Sequence, residues 1–303
     1  SVPSAGGAVV KLNPTLVTGG NIIDQQITPD SSRVVYEADQ DTDGINELYS
    51  MPIGGGSATK LNALDASRRI YSFRISEDSN QVVYGSSNLA GSNREIYSVP
   101  IVGGIPFKLN GTLEDDGTVN QFNLASGSNQ VIYRAKLEND DRPQIYRVSL
   151  AGGPSTKLNG TERTISFRLS PDDTRVVYLA TPADGNATEI YSVDLTGGNS
   201  IHLNGLLVPG GRTNGFLVSP DSAHVIYLAN QDSPGVDDLY SVPIAGGPTT
   251  KLNPTLTSGG NVSTPLRITP DGDHAIYWAE QDTPGIKELF SVPIEGGIPT
   301  KLN

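Results

Sequence analysis

Ile27-Thr28-Pro29-Asp30-Ser31-Ser32-Arg33-Val34-Val35-Tyr36, with Tyr49 and Lys60-Leu61-Asn62 behind it, decides the fold, because the pattern recurs six times. Nine residues separate the leading apolar residue from the Tyr, 13 separate that Tyr from a second aromatic, and 11 lead on to the Lys. The leading positions are Ile27, Ile75, Leu124, Leu169, Val218 and Ile268. The first aromatics are Tyr36, Tyr84, Tyr133, Tyr178, Tyr227 and Tyr277; the second are Tyr49, Tyr97, Tyr146, Tyr191, Tyr240 and Phe290. Lys-Leu-Asn begins at Lys11, Lys60, Lys108, Lys157, Lys251 and Lys301, and His202-Leu203-Asn204 fills the one gap. A fixed period of this length means a repeat architecture.

Each segment reads as a strand. Val-Val-Tyr is β-branched and aromatic, which suits a pleated surface. Pro-Asp makes a tight turn, as in Leu169-Ser170-Pro171-Asp172 and Val218-Ser219-Pro220-Asp221. The second copy reads Ile75-Ser76-Glu77-Asp78, and the third has lost the turn as Leu124-Ala125-Ser126-Gly127. Gly-Gly pairs such as Gly103-Gly104 and Gly246-Gly247 supply a second hairpin. One copy is therefore a four-stranded antiparallel meander with apolar residues on both faces. A lone meander cannot bury both, but sheets stacked around an axis can. The expected fold is all-β, a six-bladed β-propeller of four-stranded antiparallel blades. Residues 1–303 form one domain, with repeats at 14–62, 63–110, 111–159, 160–204, 205–253 and 254–303. A large sandwich is the structural alternative, but it does not explain six constant spacings. Eleven of the 12 Tyr and five of the 6 Phe sit at repeated positions and read as core, leaving Tyr71, Phe107 and Trp278.

The chain has 33 acidic and 21 basic side chains and a net charge of −12. With no Lys/Arg run, it lacks the basic face that nucleic acid or anionic lipid requires. It has no Cys, so disulfides and thiolate chemistry are excluded. No apolar run reaches the length of a membrane span, and Ser1-Val2-Pro3 opens no recognisable leader. Residues 1–13 match the third and fourth strands of a repeat. Residues 8–13 are thus expected to supply the outer strand of the last blade, or to be surplus and open to self-association. All length variation falls between the fourth strand and the next first strand, which makes those loops the expected functional surface.

Apolar-Ser-Pro-Asp, Val-Val-Tyr, Glu95-Ile96-Tyr97-Ser98-Val99 (and Glu189 to Val193), then Gly-Gly and Lys-Leu-Asn resemble the TolB-type β-propeller repeat, a relative of WD40 repeats. The resemblance covers essentially the whole chain. Copy 3 departs from it, with Gln144 in place of the Glu and no Pro-Asp turn. The resemblance implies a bacterial periplasmic or cell-surface module that binds proteins.

Asp39-Gln40-Asp41-Thr42-Asp43-Gly44-Ile45-Asn46-Glu47 is the sharpest local motif. Carboxylates of Asp39, Asp41 and Asp43, the Ile45 carbonyl and Glu47 make a candidate structural Ca²⁺ site, similar to the calcium loops of integrin-type blades. The plainer reading is a solvated acidic turn, since Glu47 recurs in copies without the other carboxylates. Arg74, Arg168 and Arg267 share one first-strand position in alternate copies. They are candidates to bind an anionic group, or else to pair with acidic residues of neighbouring blades. Trp278 stands where other copies have Glu37, Gly85, Arg134, Leu179 and Leu228, and is a candidate hot spot or inter-blade packing. The sequons at Asn110, Asn159, Asn186 and Asn261 are expected by chance, and no hydrolase, Walker or zincin signature occurs. These residues lead to a non-catalytic scaffold for a protein or peptide. The alternatives are a propeller enzyme acting on carbohydrate or another small ligand, and a structural segment of a larger surface protein.

Overall fold

The computed structural model describes residues 1–2, 5–62, 67–114, 117–125, 127, 129–137, 142–183, 185 and 187–303; the Asn186 sequon and Ser126 of the third turn lie outside them. The described residues form 24 strands in six sheets of four, each a meander in chain order, and no α-helix. The first sheet is β1 (Ile22–Ile27), β2 (Arg33–Ala38), β3 (Glu47–Pro52) and β4 (Thr59–Lys60). The second is β5 (Arg68–Ile75), β6 (Gln81–Asn88), β7 (Glu95–Pro100) and β8 (Phe107–Lys108). The third is β9 (Gln121–Ala125), β10 (Gln130–Ala135), β11 (Gln144–Ser149) and β12 (Thr156–Lys157). The fourth is β13 (Arg163–Leu169), β14 (Arg175–Thr181), β15 (Glu189–Asp194) and β16 (Ile201–His202). The fifth is β17 (Thr213–Val218), β18 (His224–Ala229), β19 (Asp238–Pro243) and β20 (Thr250–Lys251). The sixth is β21 (Val262–Ile268), β22 (His274–Ala279), β23 (Glu288–Pro293) and β24 (Thr300–Lys301).

The chain divides into two compact units, Ser1–Asp141 with Tyr146–Thr156, and Arg142–Ile145 with Lys157–Asn303. In the first unit, Val82 joins a core with Val35, Leu48 and Leu61 of the first sheet. Its chain neighbour Val83 joins Phe122, Val131 and Tyr133 of the third. Successive strand residues point to opposite faces, so β6 is buried from both sides, as the doubly apolar pattern requires. In the second unit the same stacking joins Val177 and Leu203 to Phe216 and Tyr227, and Leu239 and Leu252 to Tyr277 and Phe290. The two repeated aromatics of each copy stack across β-strand neighbours with ring centroids 5.3 Å apart in the first sheet and 5.5 Å in the sixth.

The Ser-Pro-Asp turn is held by its own side chains. Ser170 Oγ accepts from Arg175 N at 3.0 Å and donates to Asp172 Oδ1 at 2.6 Å, and Asp172 Oδ1 accepts from Thr174 N at 3.1 Å. Two of these turns are also tied to the next sheet, Asp30 N donating to Ser79 Oγ at 3.1 Å and Asp172 N to Ser222 Oγ at 3.0 Å. Residues 8–13 form no ladder strand. Val10 N donates to Ser1 O at 2.8 Å, and Leu12 packs against the cluster of Val34, Tyr36 and Met51. The outer strand of the sixth sheet is β24, so that place, one of the two expected for residues 8–13, is filled by Thr300–Lys301. Among the described residues no helix is long and apolar enough to cross a membrane.

Candidate functional site

The Lys-Leu-Asn motif explains most of the loop carboxylates. Its Leu is buried in the five internal copies, at 1% exposure for Leu61 and Leu252, and exposed only in the terminal copy, at Leu302. Its Asn reaches back to the third strand: the Oδ1 of Asn62, Asn159 and Asn253 accepts from the N–H of Leu48, Ile145 and Leu239, each at 2.7 Å. The same bond links Asn110 to Ile96 at 2.9 Å and Asn204 to Ile190 at 2.8 Å. Asn110 and Asn159, two of the four sequons, are thus buried structural residues. The Lys holds the carboxylate that begins the third strand. Lys251 lies 2.9 Å from Asp238 and 2.8 Å from Asp232; Lys108 lies 3.2 Å from Glu95.

The same lysine governs the candidate Ca²⁺ loop. Lys60 Nζ bonds Glu47 Oε1 and stands 3.2 Å from Asp41 Oδ2. Burial alone would lower the Lys60 pKa, but the two carboxylates outweigh it and raise it. Tyr49 donates to Glu47 Oε2 at 2.7 Å. Asp39 accepts from the N–H of Asn21 and, at 3.1 Å, of Gly44, and these bonds lower its pKa. Asp43 lies beside Gly19. Of the five expected ligands Asp39, Asp41, Asp43, Ile45 and Glu47, Asp41 and Glu47 thus meet at an ammonium, while the Asp39 carboxylate is taken up by backbone amides. Among the described residues no group of three His, Cys, Asp or Glu could hold a metal ion. With an ammonium already seated between Asp41 and Glu47, the residues do not fit the expected ion.

The arginines behave differently. Arg74, Arg168 and Arg267 are exposed on β5, β13 and β21. Among the described residues none of them forms an ion pair. Arg168 lies over the Phe216 ring at 6.0 Å, and Arg74 over Phe122 at 6.0 Å. Arg267 donates to its neighbour's carbonyl, Leu266 O, at 2.9 Å. In the second unit Arg168 and Arg267 flank one cavity of about 320 Å³ whose lining includes Phe216, Leu217 and Leu266. Arg74 belongs to the first unit and is separate from it. Trp278 on β22 is half-buried, opposite Ser263 and Leu289, and is not part of that lining.

Sequence reading missed the bulges that shape these surfaces. In the first strands of five sheets the register slips, leaving Ile23, Tyr71, Ile165 and Asn214 as single extra residues and a longer excursion between Ser263 and Arg267. A bulge re-aims its side chain out of the ladder. Asn214 and Thr264 thereby reach the Arg168–Arg267 cavity. The one signal available was negative: Tyr71 fits no repeat position. In the structure its ring lies over Gly85, where an added Cβ would stand 2.2 Å from Tyr71 Cζ. Glycine is required there by close approach, not by backbone angle.

No family model matches the sequence, and no curated protein sequence matches it. Solved structures do. A prolyl endopeptidase aligns over 95% of this chain and 43% of its own, at 12% identity and a TM-score of 0.59. An oligogalacturonate lyase from Vibrio parahaemolyticus aligns over 91% of this chain and 75% of its own, at 14% identity and 0.55. A putative TolB from Agrobacterium tumefaciens aligns over 76% and 80%, at 17% identity and 0.45. The chain spans less than half the length of the endopeptidase. The first two likenesses are of fold. Six four-stranded antiparallel meanders, each carrying the same repeat, make this chain an all-β, six-bladed propeller.

Proposed function

We propose that the chain is a non-catalytic binding propeller of the bacterial periplasm or cell exterior, and that it takes a protein or peptide partner. The location follows from the TolB-type resemblance. The observation that carries the binding role is the Arg168–Arg267 cavity. Two exposed guanidiniums outside any ion pair among the described residues flank an apolar floor of Phe216, Leu217 and Leu266. A guanidinium offers a planar fork of donors to a carboxylate. An apolar floor favours a segment that also carries an apolar side chain. The fitting ligand is an extended acidic segment with one apolar residue. The carbohydrate-enzyme alternative asks for two carboxyl groups flanking a cleft from opposite sides. Asp24 and Glu37, which share a cavity in the first unit, are instead cross-strand partners on one hairpin.

The test is fluorescence anisotropy of the whole chain against a library of short acidic peptides, with Arg168→Ala/Arg267→Ala as the variant. A peptide that binds the native chain loses at least tenfold in affinity on the double variant, while the melting temperature is unchanged. Equal binding to both proteins, or no binding across the library, defeats the reading. Turnover of an oligosaccharide replaces it with the enzyme.

A further inference from the structure

A second cavity, of about 390 Å³, lies within the first unit and has charges of both signs on its walls. Asp24 of β1 and Glu37 of β2 form the acidic wall and are Cα partners across their hairpin. Like charges directly opposite on paired strands repel. Glu37 is only 5% exposed, and a buried carboxylate ordinarily has a cation beside it. Here its partner is a neutral amide, Asn46 Nδ2 donating to Glu37 Oε1 at 2.7 Å. Burial raises the Glu37 pKa, the Asn46 bond opposes that, and the Asp24 charge adds to it.

Arg69 of β5 and Arg94, just before β7, form the basic wall. Arg94 donates from Nε to Gly91 O at 3.1 Å, and its guanidinium lies 4.9 Å from the Tyr71 ring centre. Tyr71 is itself fixed by its hydroxyl, which donates to Val119 O at 3.0 Å. Among the described residues neither arginine forms an ion pair with either carboxylate. Asn46 holds Glu37 and Tyr71 lies against Arg94, and two pairs of opposite charge share a cavity with no ion pair between them among the described residues. The position of Glu37 is Gly85, Arg134, Leu179, Leu228 and Trp278 in the other copies, and that of Arg94 is Asn46, Pro143, Thr188, Asp237 and Lys287. No requirement of the repeat accounts for this pairing.

We propose that this cavity is a binding site for a small zwitterion of the free α-amino acid class, its ammonium on Asp24 and Glu37 and its carboxylate on Arg69 and Arg94. The volume falls at the low end of small-ligand sites, which run from about 300 to 1,000 Å³. A neutral polyol would fill it and leave all four charges without counterparts. A simple anion or cation would answer one wall and be repelled by the other.

The test is isothermal titration calorimetry of the whole chain at neutral pH with each of the proteinogenic amino acids. The best binder is then repeated as its N-acetyl derivative and as its carboxamide, with glucose as the neutral control. At least one amino acid binds, and masking either end weakens it at least tenfold. Glu37→Gln, which keeps an oxygen for Asn46, and Arg69→Gln each weaken it by a similar factor with the melting temperature preserved. No binding up to about 10 mM, or masked forms or glucose binding as well as the free amino acid, overturns the proposal. Arg168→Ala/Arg267→Ala binds the amino acid like the native chain, so this site and the peptide site fail independently.

Discussion

The hairpin of β13 and β14 has two ends built on different terms. At the Ser170–Arg175 end, Ser170 and Asp172 are bonded to neighbours a few residues away, and Asp172 N to Ser222 of the next sheet. At the other end, the register slips around Ile165, which stands 38% exposed and outside the ladder. The first end repeats because each bond needs its own residue type. The second varies from Ile23 to Tyr71 to Asn214 because the ladder makes no demand on a bulged side chain. Constraint and freedom sit about six residues apart on one strand, and the candidate ligand cavities lie at the free end.

The comparison breaks most visibly at the Asn clamp. Asn253→Ala removes the acceptor for Leu239 N and the donor to Asp238, both buried. Leaving such groups unsatisfied costs about 2–3 kcal/mol, measured as a lower midpoint in urea unfolding. A smaller effect follows from the turn aspartates. Hydrogen bonds from Thr28 and Ser32 hold Asp30 at about 2, and similar bonds lower Asp78, Asp172, Asp221 and Asp271. A carboxylate whose pKa is depressed on folding stabilises the fold above its unfolded value and loses that contribution as pH falls through the folded one. The melting temperature therefore declines as pH is lowered from about 5 towards 2. Asp172→Asn melts lower at pH 7 and shows a shallower decline; an unchanged slope would refute the assignment. Smallest of all, Ile165→Ser and Asn214→Ala stay within about 0.5 kcal/mol of the native stability. A larger loss for either would mean that the bulges carry structure after all.

The spacings of 9, 13 and 11 were enough to place the first three strands of each sheet and the stacked aromatics, because each spacing fixes which face a side chain enters. The Asp39–Glu47 loop was legible as acidic but not as occupied. Lys60, the residue that engages it, lies 13 positions beyond Glu47 and arrives by pairing with Tyr49. The bulges were not legible, since they are defined by what fails to pair. The same holds for the cavity between Glu37 and Arg94, whose walls come from different copies and whose residues break the period.

The outermost strands, β4, β8, β12, β16, β20 and β24, are each two residues long, and most end in Lys. A rim this short and this charged offers almost no template on which a foreign chain could extend a ladder. Each further copy of such a repeat lengthens the polypeptide without adding a long unpaired border, so the number of copies and the number of sticky edges are decoupled.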